Sequence, residues 1–205
     1  MTSSNARVKL AEIRKKEAAR VRRLRLIGIG SVAAAGVVAL ALALIVTWAV
    51  THGTGQPATA GVLVSYPGLA RDHVTGAVTY QQTPPAGGPH ASVWQNCGIY
   101  TSPVPNENAV HSLEHGAIWI TYRPDLPANQ LSDLRADVAG QPYGLLSPYP
   151  GLPAPVVATV WGVQLKLQNA ADPDLKAFIA KYADGSKAPE PGGECTGGIG
   201  TPQSR

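Results

Sequence analysis

Sulfur is scarce in this chain of 205 residues. Met1 is the only methionine, and Cys97 and Cys195 are the only cysteines. A thioether site for Cu(I) is thereby excluded, and so is heme attachment through C-x-x-C-H. Charge is thin as well: Asp, Glu, Lys and Arg make up 15% of the residues, low for a soluble globular chain. Two common catalytic signatures are missing. There is no G-x-S-x-G nucleophile elbow and no G-x-x-x-x-G-K-[ST] phosphate loop. No internal repeat is visible. Glycine and proline, by contrast, number 22 and 18, which favours a turn-rich domain over a helix bundle or coiled coil.

Basic residues are lacking from most of the chain. Residues 1–25 hold nine Lys or Arg against two Glu, whereas the other 180 residues hold eight basic against eleven acidic side chains. The overall net charge of +4 is therefore made at the N-terminus. A mildly acidic body is not a nucleic-acid-binding surface, so no nucleic-acid partner is expected. Immediately after the basic stretch, Leu26–Val50 runs for 25 residues without a charge. That length spans a hydrocarbon core of about 30 Å as a helix. Trp48 stands near its far end, where an amphipathic ring suits the interface, and Arg20, Arg22, Arg23 and Arg25 all flank the near end. The positive-inside rule predicts a single-pass protein of the cell membrane, with Met1–Arg25 cytoplasmic and the remainder outside. The alternative is a cleaved signal peptide, whose hydrophobic region runs only about 7–15 residues. The basic lead reads as a helix that sets topology and touches anionic lipid, or else docks a cytoplasmic partner. No cysteine follows the apolar run to carry a lipid anchor.

Thr51–Leu69 reads as a linker that ends in a short strand near Gly61–Ser65. The folded body is expected over 70–195, with a flexible tail at 196–205. Within it, Asp72–Gln82 alternates like a strand, and Thr83–His90 (TPPAGGPH) must be a loop. Gly98–Tyr100 reads as a short strand. Asn106–His115 predicts a short helix closed by Gly116, and Ala117–Tyr122 a strong strand ended before Pro124. Leu126–Val138 has helical apolar spacing, Tyr143–Pro155 reads as Pro-rich loop, and Val156–Leu167 as a second strong strand. Asp172 caps a helix over Asp172–Tyr182 with Pro173 at its first position. Strands and helices mix without a βαβ beat. The expectation is an α+β extracytoplasmic domain with a small mixed sheet and two or three helices.

Two cysteines in an oxidising compartment suggest a Cys97–Cys195 disulfide, with paired metal ligands as the alternative. Of the five histidines, His52 follows the apolar run as an interface residue and His73 begins a surface strand. His90 ends the GGPH loop, and His111 and His115 frame H-S-L-E-H. On a helix His111, Glu114 and His115 project from one face, and His90 can reach them from its loop. Three imidazoles and a carboxylate suit a divalent transition ion, Zn²⁺ or Cu²⁺. The same residues also suit a hydrogen-bonded network without metal. A third reading is the H-x-x-E-H metallopeptidase pattern, with Glu190 or Glu194 as further ligand. The short helix and small domain speak against that one.

The strings PPAGGPH (Pro84–His90), CGIY (Cys97–Tyr100), VHSLEHGAIWITYRP (Val110–Pro124) and SPYPGLPAP (Ser147–Pro155), with Trp161–Gly162 and Pro189, Glu190 and Cys195, together resemble a bacterial family known as domain of unknown function 3105. The likeness runs in order over about Asp72–Cys195. Val160 stands where that pattern has Ala, a difference that touches packing only. The family is common in actinobacteria, and its members carry a basic N-terminus and one membrane segment. The resemblance implies that His90, His111, Glu114 and His115 belong to family motifs, and it brings no activity with it. The expected function is a membrane-anchored binding module rather than a self-sufficient enzyme. It either handles a metal or serves as an interaction or assembly partner of an envelope membrane complex.

Overall fold

A computed structural model describes residues 60–203. The basic lead, the predicted span at 26–50, His52, the first part of the predicted linker (51–59) and the last two residues lie outside the described residues. Among the described residues no helix is long and apolar enough to cross a membrane.

The described residues form an α+β domain around one mixed six-stranded sheet. Its elements are β1 (Val62–Ser65), β2 (Gly98–Ile99), α1 (Asn106–Glu114), β3 (Ile118–Tyr122), α2 (Ala128–Ala139), β4 (Gly144–Pro148), β5 (Val156–Val160), β6 (Val163–Leu167) and α3 (Pro173–Tyr182). The strand order is β1-β6-β5-β3-β4-β2. β4 runs parallel to both β3 and β2, and the other pairings are antiparallel. A mixed sheet and three helices agree with the sequence reading.

Strand β3 shows why the domain has two apolar layers. Side chains alternate across a strand, and all five residues of IWITY are buried. Ile118, Ile120 and Tyr122 face α2 and α3, where they meet Leu134, Val138, Leu175, Phe178 and Ile179. Trp119 points the other way, into a cluster with Val110 and Leu113 of α1, Leu145 of β4, and Tyr100 and Trp161. Its indole N–H donates to Ser147 Oγ at 3.0 Å, which satisfies the polar edge of a fully buried ring. α3 begins as expected: Asp172 accepts from the Asp174 amide at 3.0 Å, and Pro173 takes the first turn.

Several elements differ from the sequence reading, each for a local reason. Asp72–Gln82 is not a sheet strand. β1 and β2 occupy the two sheet edges, and this run lies against the 83–90 loop and α1 instead, with one bridge between His73 and His90 and the Val78 amide on Glu107 Oε1. The Pro-rich stretch 143–155 hides a central strand, β4, because its prolines gather from position 148 onward while Leu145 and Leu146 are fully buried. Val156–Leu167 is a hairpin rather than one strand: Gly162 takes φ +73° and turns the chain between β5 and β6. The ordered body also extends past the expected bounds of 70 and 195. β1 pairs with β6. Beyond Cys195, the Ile199 amide donates to Trp94 O at 2.9 Å and the Gln203 amide to Ile99 O at 2.8 Å.

Cys97 and Cys195 form the expected disulfide, with Cα atoms 5.2 Å apart. It closes a loop with a sequence separation of 98, which the chain-entropy model values at about 4–5 kcal/mol. Next to it in the chain, Glu190–Glu194 lie against the end of α1.

Candidate metal centre

Helix α1 is placed by what surrounds it. Pro105 precedes it, and Gly116 follows as its close. Ala109, Val110 and Leu113 bind it to the sheet. On its other side the 91–95 loop is zipped along it. The Gln95 amide donates to Asn108 O and Ser112 Oγ, Ser112 Oγ donates back to Gln95 O at 2.7 Å, and Asn108 Nδ2 donates to Val93 O at 2.6 Å. His111 and Glu114 are therefore buried within the helix, and His115 at its cap is buried too.

His90 arrives from the opposite side. Its loop is threaded into the interior and has its carbonyls satisfied there. Ala86 O accepts from the Gly162 amide, Pro84 O from Gln164 Nε2, and Pro89 O from Tyr80 Oη, each at 2.7 Å. Burial, assisted by the Glu107 charge, pushes the Tyr80 phenol up, so it remains a donor. The His90 ring is fully buried and sits edge-on to Trp161.

The hydrogen bonds fix the chemistry of the rings. His90 Nδ1 faces Gly88 O at 2.8 Å, His111 Nδ1 faces Ala91 O at 2.7 Å, and His115 Nδ1 faces Glu194 O at 2.6 Å. A carbonyl only accepts, so each Nδ1 carries the proton and donates. In the neutral ring each Nε2 is then a bare lone pair. These lone pairs point inward. His90 Nε2 lies 2.9 Å from Glu114 Oε2, and His111 Nε2 lies 3.0 Å from His115 Nε2. Burial pushes His111 below the ordinary imidazole range, and the neighbouring imidazoles push the same way, against the opposing effect of the Ala91 carbonyl. That favours the neutral ring.

His73 joins the centre although the sequence suggests only a surface strand start. Backbone bonds Val74 N to His90 O (2.8 Å) and His90 N to Asp72 O (3.0 Å) carry it there. Its ring stacks on His111 with centroids 4.8 Å apart, and its Nε2 is 3.8 Å from Glu114 Oε2. One donor atom from each of His73, His90, His111 and Glu114 lies within 4.8 Å of all the others. Of the four residues expected from sequence, three fall inside this group, and His115 adjoins it through His111. No periodicity in 72–82 marks His73. The usable signal was scarcity, since all four described histidines end in one place.

Both cysteines are in the disulfide, so neither is a free thiol ligand. Among the described residues, the donor group includes neither Glu190 nor Glu194. Both meet α1 through backbone instead, Glu190 N donating to Glu114 O and Glu194 O accepting from His115. The further ligand that the H-x-x-E-H pattern requires is thus not supplied by them.

A family model described as protein of unknown function (DUF3105) matches residues 73–197. The match spans more than half of the chain, and the chain belongs to that family. No curated protein and no solved structure matches it.

His115 depends on a glycine. A Cβ on Gly193 would lie 2.6 Å from both Cγ and Cδ2 of the His115 ring, closer than packed atoms tolerate. The ring cannot retreat without leaving Glu194 O or His111. Gly193→Ala is expected to destabilise the domain by about 1–3 kcal/mol through overpacking, read as a lower denaturant midpoint with unchanged slope. Unchanged stability would show that His115 is free to move.

Proposed function

We propose that this domain binds one divalent transition ion, Zn²⁺ or Cu²⁺, and works as a metal-handling module on the outer side of the membrane. The observation that carries the reading is the convergence of histidine ring nitrogens, on rings whose Nδ1 is held by a carbonyl, on a buried carboxylate. Metal-bound histidines ordinarily donate their second ring N–H to a carbonyl or carboxylate, which fixes the ring and its tautomer. His90, His111 and His115 all do so here. Imidazole and carboxylate suit Zn²⁺ and Cu²⁺. His73, His90, His111 and Glu114 would hold the ion, and His115 stands close enough to His111 to complete that set.

A second reading has its own support. Separations of 2.9 and 3.0 Å are also hydrogen-bond lengths. Protons between His111 and His115, and between His90 and Glu114, would satisfy the cluster without an ion. The domain would then be an interaction or assembly partner of an envelope complex. This requires extra positive charge in a buried site balanced by Glu114 alone, which is costly. Hydrolysis of the H-x-x-E-H type is less favoured still, because Glu114 is itself engaged with His90.

The location rests on the sequence. The charge split around Leu26–Val50 supports a domain outside, and a disulfide is consistent with that compartment. Protease added to intact spheroplasts is expected to degrade the domain, and full protection would reverse the topology.

Calorimetric titration of the full-length chain in detergent with ZnCl₂ or CuCl₂ is expected to show one ion per chain. The His111→Ala/His115→Ala double variant should lose that uptake while keeping its disulfide and its circular dichroism. A folded wild type that takes up neither ion would leave the assembly-partner reading.

A further inference from the structure

The histidines of the centre are not equivalent, and the difference assigns one of them a separate task. His90, His111 and His115 are buried and have their Nδ1–H anchored on carbonyls. Glu114 is buried too, with a side chain only 3% exposed. The His73 side chain is 49% exposed. No hydrogen bond fixes either of its ring nitrogens among the described residues. Its Nε2 stands 3.8 Å from Glu114 Oε2, against 2.9 Å for His90. It comes from an exposed stretch, Arg71–His73, joined to the centre by two backbone hydrogen bonds with His90. A ligand without an anchored second nitrogen holds a metal less firmly, and loss of such support costs about 10–100-fold in affinity.

We propose that His73 is the exchangeable ligand of the centre, and that the ion enters and leaves through the face it occupies. This rests on the metal-binding reading above. The exchange is associative. A donor from an incoming carrier, a nitrogen or sulfur lone pair, forms a bond to the ion as the bond from the ion to His73 Nε2 breaks. No electron changes hands, and the buried donors keep the ion in place until the newcomer is bound. The partner is therefore a metal carrier or chelator that approaches the Arg71–His73 face with a donor of its own. The ion need not wait for the buried rings to open.

The test loads the full-length chain in detergent with one Zn²⁺ and follows transfer to the chromophoric chelator 4-(2-pyridylazo)resorcinol by stopped flow. In the wild type the release rate is expected to rise in proportion to chelator concentration. His73→Ala, an exposed change that leaves the buried rings in place, should still take up one Zn²⁺ but release it about tenfold faster or more. Imidazole added to the buffer should fill the vacated position and restore slow release. A His73→Ala chain that binds no ion, releases at the wild-type rate, or ignores imidazole would overturn the proposal while the site stands. A wild type that takes up no Zn²⁺ before chelator is added would overturn the metal-binding reading itself, and this proposal with it.

Discussion

A backbone carbonyl can accept a hydrogen bond but never donate one, and three buried imidazoles each face one. That asymmetry puts a proton on Nδ1 of His90, His111 and His115 and turns their Nε2 atoms toward Glu114 and one another. Two of the carbonyls, from Gly88 and Ala91, flank His90 in one loop, and the third, from Glu194, comes from the far end of the domain. Much of the architecture holds them in place. The β5–β6 hairpin grips the loop that carries Gly88 through Ala86 and Pro84. The Gln95–Ser112 exchange seats the chain after Ala91 on α1. The disulfide brings Glu194, the neighbour of Cys195, onto the helix end. A fold stabilised mainly by its apolar sheet faces thus spends its irregular segments on the orientation of a few rings.

Electrostatics explains why that arrangement points to a cation. Bare nitrogens 3.0 Å apart repel unless something positive lies between or beside them. A proton satisfies one such gap at the cost of a buried imidazolium. A divalent ion satisfies several lone pairs together and is neutralised in part by Glu114. Sulfur adds nothing here, since both cysteines are spent on the disulfide. The donors gathered here are nitrogen and oxygen, buried except at His73, whose side chain is 49% exposed.

The sequence made the centre partly legible. The i, i+3, i+4 spacing of His111, Glu114 and His115 put them on one helical face, and GGPH marked a constrained loop able to bring His90 across. Both are local patterns. His73 was missed because its place depends on a loop-to-loop backbone pairing with His90, which leaves no period in the chain. β4 was missed because Pro148, Pro150 and Pro153 dominate a stretch whose two buried leucines form too short a run to stand out. The strap beyond Cys195 reads as tail because Gly and Thr carry no apolar signal, and its order comes from hydrogen bonds to Trp94, Asn96 and Ile99. Where burial and periodicity carry the information, as in β3 and α3, sequence and structure agree.

The central claim concerns where three protons sit, and long-range ¹⁵N–¹H correlation spectra of the histidine side chains observe them directly. Protonated Nδ1 is expected in His90, His111 and His115 at neutral pH, with the Nε2 resonances alone moving when Zn²⁺ is added. A ring among these three that carries its proton on Nε2 with Nδ1 bare would contradict it.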